Sequence, residues 1–167
     1  MVTFDDYVRL RGARLVQLAR LLVHDRHLAE DLVQEVLGKA FVRWKSIVQG
    51  GDPDQYVRKM LVNANISRWR RKSSSELTTG TIAEPAGRGD IGQEAADRDA
   101  AWRLVSQLPA KQRAAVVLRY YEDLDDASIA DILNCSTVTV RSQVMRALAT
   151  LREQLGKQPA LNSGRMH

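Results

Sequence analysis

Apolar residues recur at steps of three and four along most of the N-terminal half, which is the spacing of one face of an α-helix. The pattern predicts three helices, at about residues 3–23, 28–44 and 56–71. Thr3 is expected to cap the first helix, with Asp6 three residues later. Gly50, Gly51 and Pro53 break the pattern before the third helix. The inward side of the second helix is expected to carry Leu28, Leu32, Val36, Ala40 and Phe41.

The helical pattern stops after residue 72 and returns in the C-terminal part of the chain. The intervening stretch, residues 73–98, is rich in Ser, Thr, Gly, Pro and Ala and predicts a flexible linker until its last residues. Helical spacing resumes in "AAWRLVSQL", stops at Pro109 and continues through "AKQRAAVVLRYYEDL", with Pro109 expected in the first turn of the second of these helices. Two more helices are predicted in "DASIADIL" and "STVTVRSQVMRALATLREQL".

These elements predict an all-α protein built from two small helical domains. No hairpin pattern occurs, and the β-branched run "STVTV" leads into apolar positions at helical spacing. We expect a first domain at residues 1–72, a linker at 73–98, a second domain at 99–156 and a disordered tail at 157–167. No apolar run approaches the roughly 20 residues that a membrane-spanning helix needs, so no membrane insertion is expected.

Residues 130–140 have the spacing of a helix-turn-helix. Ala130 supplies a small side chain where two helices would touch, Asn134 accepts a left-handed turn, and Val140 would pack on the first helix. Ser136 is a suitable N-cap for the second helix. The opposite side of that helix is expected to expose Val138, Thr139, Arg141, Ser142, Gln143, Met145 and Arg146.

That exposed side is suited to a DNA major groove. Its side chains can reach phosphates and base edges, with Arg matched to guanine and Gln to adenine. A plain helical hairpin with a solvated polar side stays open as the alternative. The absence of any acid between Ser136 and Arg152 favours the DNA-binding interpretation.

The third predicted helix carries a polar line opposite its apolar seam. The seam consists of Val57, Met60, Leu61 and Ala64. The polar line consists of Tyr56, Lys59, Asn63, Ser67 and Arg70. An aromatic ring can stack on a base, cations bind phosphates, and amides read unpaired base edges, so a nucleic-acid single strand fits this line. A second packing seam beside solvated arginines stays open as the alternative, and Asn65, off the line, is expected to be solvated.

An acidic face lies on the second predicted helix, although the protein as a whole is basic. It consists of Glu30, Asp31, Gln34 and Glu35. Its three carboxylates would repel DNA, so the face predicts docking on a protein with a basic surface. A solvated face without a special role is the open alternative.

Composition narrows the classes of function. The chain has 167 residues and a net charge of +5, and its pI of about 9.7 favours a polyanionic partner. Cys135 is the only cysteine, so no internal disulfide can form and a reducing, cytoplasmic location fits. His24, His27 and Cys135 form no recognisable catalytic constellation, and no metal-ligand spacing or phosphate-binding loop occurs. We therefore expect neither enzymatic activity nor a cofactor.

The order of the motifs resembles that of the extracytoplasmic function (ECF) sigma factors, the promoter-recognition subunits of bacterial RNA polymerase, and in particular the actinobacterial SigE-like group. The motifs are "LAEDLVQEV", "YVRKMLVNANISRWRR", "LPAKQRAAVVLRYYEDL" and "IADILNCSTVTVRSQVMRAL". The resemblance implies sigma-2 and sigma-4 domains joined by the linker. It also implies three partners. The first is core RNA polymerase, which the family binds through the β′ clamp helices and the β subunit. The second is promoter DNA, single-stranded at −10 and duplex at −35, and the third is an anti-sigma factor, as in many relatives.

The resemblance also implies roles for the candidate residues. The polymerase-docking candidates are Glu30, Asp31, Gln34 and Glu35. The −10 candidates, after a loop at about residues 46–55, are Tyr56, Lys59, Asn63, Ser67 and Arg70, of which Asn63 matches a family asparagine. The −35 candidates are Thr139, Arg141, Ser142, Gln143 and Arg146. The family commonly has Gly at position 134 and a basic residue at 143, and the second departure leaves the −35 sequence open. The alternative function is a stand-alone helix-turn-helix regulator with an N-terminal sensing domain.

Overall fold

The computed structural model describes residues 1–75 and 93–157. Every regular element in those residues is helical, which confirms the all-α prediction. The helices are α1 Phe4–Val23, α2 Arg26–Val42, α3 Trp44–Gln49, α4 Pro53–Ser75, α5 Gln93–Ser106, α6 Ala110–Val116, α7 Asp126–Leu133 and α8 Thr137–Gly156, with a π-helical turn at Val117–Tyr121. None of these described helices is long and apolar enough to cross a membrane.

The described residues divide into two compact units, one on either side of residues 76–92. α4 runs to Ser75 and α5 begins at Gln93, so helical structure enters the predicted linker from both sides. The rest of that linker, residues 76–92, lies outside the described residues, as do residues 158–167 of the predicted tail.

Side-chain caps define where the first two helices begin. Thr3 Oγ1 accepts a hydrogen bond from the N–H of Asp6 at 3.1 Å, as its position predicts. Asp25 caps α2, because its carboxylate accepts from the N–H groups of His27 and Leu28 at 3.0 and 3.1 Å. His24 ends α1 in the left-handed region, with φ of 55°. The turn between α1 and α2 is therefore only two residues long.

The first unit buries its core between α1, α2 and α4. Ala40 is fully buried on α2 as predicted, but Phe41 is 63% exposed, so its inward assignment is wrong. The reason is its place in the last turn of α2. There its ring meets the ring of Phe4 edge-on, with 5.1 Å between centroids, outside the core.

A short helix, α3, occupies part of the segment where the sequence predicts a break. It buries Ile47 and ends at Gln49, with Gly50 as its C-cap. Gly51 has φ of 136°, a conformation that side chains rarely adopt, so the break is limited to the residues around it. Asp52 Oδ1 accepts a hydrogen bond from the N–H of Asp54 at 3.1 Å, which helps α4 to start at Pro53.

α4 buries a wider side than its predicted seam because it packs against both α1 and α2. Val62 and Asn65 are buried beside Val57, whereas Met60 and Ala64 are only half-buried. Asn65 is 4% exposed, so the expectation that it is solvated is wrong. Its Nδ2 has no hydrogen-bond acceptor within the described parts of the chain. A buried amide group left in this state costs about 1–3 kcal/mol.

Tyr7 ties α1 to the first turn of α4. Its hydroxyl donates to Asp54 Oδ1 at 3.0 Å, and Asp54 also pairs with Arg58 Nε at 3.4 Å. Burial, reinforced by the charge and hydrogen bond of Asp54, raises the pKa of the Tyr7 hydroxyl far above its ordinary value. The Tyr7 ring lies 5.2 Å from that of Trp44, whose Nε1 donates to the carbonyl of Val2 at 3.0 Å. These contacts fix the start of α4 against α1 and α3.

The second unit is organised around α6 and α8, with α5 and α7 packed on them. Arg113 on α6 is 3% exposed, and its Nη2 donates to the carbonyl of Leu108 at 2.9 Å. Burial lowers the pKa of this guanidinium to about 10. Pro109 is the residue immediately before α6 rather than part of its first turn. The buried guanidinium therefore holds the turn between α5 and α6.

A π-helical turn follows α6. The N–H of Glu122 donates to the carbonyl of Val117 at 3.1 Å, five residues back instead of the four of an α-helix. Asp123 then leaves the helix with φ of 56°. Turns of this kind are rare and cluster at functional sites. This one stands directly before the predicted helix-turn-helix.

Candidate nucleic-acid interface

α7 and α8 form the tight helix pair that the sequence predicts. Asn134 ends α7 with φ of 55° and ψ of 52°, and its N–H returns to the last turn of α7. Ser136 Oγ accepts a hydrogen bond from the N–H of Thr139 at 3.1 Å and caps α8. Val140 is fully buried. The expected structural roles of Asn134, Ser136 and Val140 are confirmed, and the pair has the form of a helix-turn-helix.

The side of α8 away from Val140 faces solvent. Its exposed residues include Val138, Thr139, Arg141, Met145 and Arg146. Ser142 and Gln143 are half-buried. All five −35 candidates therefore lie on one helix, with three of them fully at the surface and two at its edge.

Arg141 has an ionic partner that the sequence analysis missed. Its Nε lies 3.5 Å from Asp126 Oδ2, at the start of α7, and Asp126 Oδ1 contacts Arg119 Nη2 in the π turn. The Arg141 side chain is 61% exposed, whereas those of Asp126 and Arg119 are 29% and 30% exposed. Helical periodicity carries no signal for this cluster, because its members come from three different elements.

The five −10 candidates lie along α4 in the first unit. Tyr56 is 41% exposed, Lys59 and Asn63 are half-buried, and Ser67 and Arg70 are exposed. Trp69, near the end of the same helix, is 45% exposed and adds a second aromatic surface. The line predicted from periodicity is thus accessible from end to end.

A cleft of about 490 Å³ opens beside the start of this line. Its lining residues are Arg43, Ser46, Ile47, Gly50, Asp52 and Tyr56. The cleft lies between α3 and the first turns of α4, in the loop region that the resemblance associates with the −10 element. The aromatic ring of Tyr56, the guanidinium of Arg43 and the carboxylate of Asp52 therefore line one concave site.

The acidic face of α2 is fully at the surface. Glu30, Asp31, Gln34 and Glu35 are all exposed. Glu30 pairs with Arg26 at 3.5 Å and Glu35 pairs with Lys39 at 3.3 Å, both one turn away on the same helix. The predicted docking residues are therefore brought together, and two of their carboxylates already have basic partners.

Both units match known sequence families. Residues 7–75 match the family model of sigma-70 region 2, and residues 98–151 match that of sigma-70 region 4. The first match covers the −10 candidates and the acidic face, and the second covers the helix-turn-helix. Together the two regions define a protein of the sigma-70 class. A stand-alone regulator with an N-terminal sensing domain is not favoured, because region 2 occupies the place of that domain.

Relatives narrow the class further. The chain is 36% identical over 155 residues to the RNA polymerase sigma-E factor of Streptomyces coelicolor, covering 93% of this chain and 87% of that one. It is 28% identical over 165 residues to the ECF RNA polymerase sigma factor SigW of Bacillus subtilis, covering 91% and 88%. A solved structure of the sigma factor RpoE with the anti-sigma factor NepR, from Bartonella quintana, matches with a TM-score of 0.77 and 26% identity, covering 92% and 96%. The chain belongs to the ECF family of RNA polymerase sigma factors, and the expected resemblance is confirmed.

Proposed function

We propose that this sigma factor directs core RNA polymerase to promoters by reading the −35 element as duplex DNA with α8 and by holding the opened −10 strand on α4. The observation that carries the proposal is the exposed side of α8, which bears cations and no acid between Ser136 and Arg152. Duplex DNA has one negative charge per about 1.7 Å of its axis, so it attracts such a surface. Strand opening would draw on binding energy, and we assign no catalytic residue to the chain.

At −35, Arg141 and Arg146 are suited to bidentate contact with guanine, and Gln143 to contact with adenine. The exposed side chains of Val138 and Met145 add apolar surface suited to thymine methyl groups. The proposed polar contacts to this element are Thr139, Arg141, Ser142, Gln143 and Arg146.

At −10, the proposed contacts follow the exposed line of α4: Tyr56, Lys59, Asn63, Ser67 and Arg70. The two cations of the line, Lys59 and Arg70, suit the phosphates of one strand, and the Asn63 amide suits the edge of an unpaired base. The cleft beside Tyr56 offers such a base a concave site next to an aromatic ring. A single strand uses all of these features together, whereas a packing seam would use only the apolar ones.

The acidic face of α2 is proposed to dock on core RNA polymerase, at the basic β′ clamp helices, while the β subunit contacts other parts of the chain. RpoE of Bartonella quintana is found in complex with the anti-sigma factor NepR. We propose an anti-sigma partner for this chain as well, competing for the polymerase-binding surfaces. Because its partners are the transcription machinery and promoter DNA, we place its action in the cytoplasm.

The proposal is tested by adding the protein to core RNA polymerase and assaying promoter-dependent transcription. Permanganate reactivity of thymines near the start site reports strand opening. We expect both signals to require the sigma factor. Tight binding of the isolated protein to duplex DNA, without any change in polymerase specificity, would contradict the proposal.

Charge-reversal variants test the proposal that the acidic face of α2 docks on core RNA polymerase. Asp31→Lys and Glu35→Lys reverse charge on the acidic face, so we expect weaker binding to core polymerase with the fold retained. Glu153→Lys makes the same charge change on α8, where Glu153 pairs with Lys157 at 3.4 Å and is 67% exposed. If all three variants weakened binding to core polymerase equally, the effect would be one of overall charge, and the docking role of the acidic face would be refuted.

A further inference from the structure

A carboxylate in the second unit lies between two guanidinium groups. Asp126 Oδ2 is 3.5 Å from Arg141 Nε, and Asp126 Oδ1 contacts Arg119 Nη2. Arg141 projects from α8 and is 61% exposed, whereas Asp126 and Arg119 are each about two-thirds covered. The cluster is therefore anchored at its Arg119 end and open to a ligand at its Arg141 end.

The atoms used in this contact leave a defined part of Arg141 available. A guanidinium carries five N–H donors in a fixed planar fork, and its Nε has only one of them. Since Nε faces Asp126, the two terminal nitrogens remain for a ligand. Two parallel N–H donors are what the O6 and N7 acceptors of guanine require in the major groove.

We infer that Asp126 is a positioning residue, which holds Arg141 so that its terminal nitrogens read one guanine of the −35 element. A long arginine side chain otherwise loses rotamer freedom when it binds. Asp126 removes part of that freedom before DNA arrives, while Arg119 balances its charge. The inference rests on the proposed role of Arg141 at −35 and adds a specificity determinant on α7, outside the recognition helix.

The inference predicts that Asp126→Asn raises the affinity for duplex DNA without promoter sequence and lowers the preference for one guanine of the −35 element. Asp126→Asn removes a negative charge near the DNA, so affinity for duplex without promoter sequence should rise. The same change releases Arg141, so preference for its guanine should fall by about 2- to 10-fold, the range for ordering one long side chain at an interface. A variant that merely weakened the fold would lower both quantities.

The experiment uses the full chain assembled with core RNA polymerase and a promoter library randomised over the −35 element. Sequencing of transcripts gives the base preference at each position. The Arg141→Ala variant is measured first, and the −35 position at which it abolishes the preference for guanine is taken as the contact of Arg141. We then expect Asp126→Asn to reduce preference at that position alone, and to have no further effect there when Arg141 is already Ala.

Two control variants distinguish the positioning of Arg141 by Asp126 from a general loss of structure and from a general change in surface charge. Arg119→Gln breaks the other half of the cluster but leaves Asp126 beside Arg141, so guanine preference should persist. Glu153→Gln removes a surface ion pair on the same unit without touching the cluster, so it should leave that position unchanged. Thermal unfolding confirms that each variant is folded.

Different outcomes refute different statements. An Asp126→Asn variant that retains full guanine preference, or that loses preference equally at every position, overturns the positioning role. Equal loss of that preference in Arg119→Gln or Glu153→Gln overturns it too. If Arg141→Ala leaves the base preference unchanged at every −35 position, the proposed contact of Arg141 is refuted, and the role of Asp126 is refuted with it.

Discussion

The hydrogen bond between Tyr7 and Asp54 should contribute measurably to the stability of the first unit. Tyr7→Phe removes only the hydroxyl, whose 3.0 Å bond joins α1 to α4. Hydrogen bonds to charged groups contribute about 1.5–3 kcal/mol. Since Asp54 keeps its pairing with Arg58, we expect a loss near the lower end, about 1.5 kcal/mol. For a unit of this size, that loss lowers the melting temperature by about 6–12 °C.

The contribution of Tyr7 should also depend on pH. Its pKa is raised in the folded protein, so the folded state keeps the phenolic proton where the unfolded chain releases it. The stabilisation is therefore complete below the unfolded pKa of about 10, and it declines as pH rises from there toward the folded pKa. The difference in melting temperature between wild type and Tyr7→Phe should accordingly shrink above about pH 10.

Hydrogen exchange read by mass spectrometry at neutral pH reports each unit through its own peptides. Peptides from α1 and α4 should lose protection in Tyr7→Phe, while those from α6 and α8 should not change. Tyr56→Phe is the matched control, because Tyr56 belongs to the same unit and is 41% exposed. Unchanged protection of α1 and α4 in Tyr7→Phe, or an equal loss in Tyr56→Phe, would refute the reasoning.

Three further substitutions test local features. Asn65→Leu should raise the free energy of unfolding of the first unit by about 1 kcal/mol, because it removes a buried amide nitrogen that has no acceptor among the described residues; a lower denaturant midpoint would contradict this. Ser136→Ala should cost about 1 kcal/mol by uncapping α8, and unaltered hydrogen exchange in its first turn would argue against the cap. Asn134→Val should cost about 1–2 kcal/mol at φ of 55°, whereas Asn134→Gly should be tolerated; equal melting temperatures would disprove strain there.

The features that the sequence predicts well are those that depend only on residues within about one helical turn of each other along the chain. Thr3 and Ser136 cap helices through backbone N–H groups three residues ahead, so their neighbours in sequence suffice to identify them. Asn134 is similar, since few residues other than glycine accept the left-handed conformation. Helical periodicity also identified the exposed side of α8, where five of the seven residues predicted to be exposed are exposed and Ser142 and Gln143 are half-buried.

The errors concern residues whose surroundings come from other helices. Asn65 is buried on a helix that packs against α1, α2 and α3, and no pattern within α4 carries that information. Phe41 lies in the last turn of α2, where the edge-on contact with the Phe4 ring leaves it 63% exposed. Asp126 escaped notice because its link to Arg141 exists only once α7 and α8 are folded together. Tertiary packing therefore overrides local pattern at each of these positions.

The π turn at Val117–Tyr121 bears on how this family could diversify. Such a turn contains one residue more than the α-helical turn it replaces, so it behaves as an insertion absorbed inside a helix rather than in a loop. Each residue advances an α-helix by about 100°, so deletion of one residue here would swing Arg119 away from Asp126. A lineage that gained or lost this residue would change which side chains of the π turn face α7, while the sequence of α8 stayed identical. Gaps at this point of an alignment would therefore mark changes in how this turn packs on α7, which comparison of the α8 sequences alone would overlook.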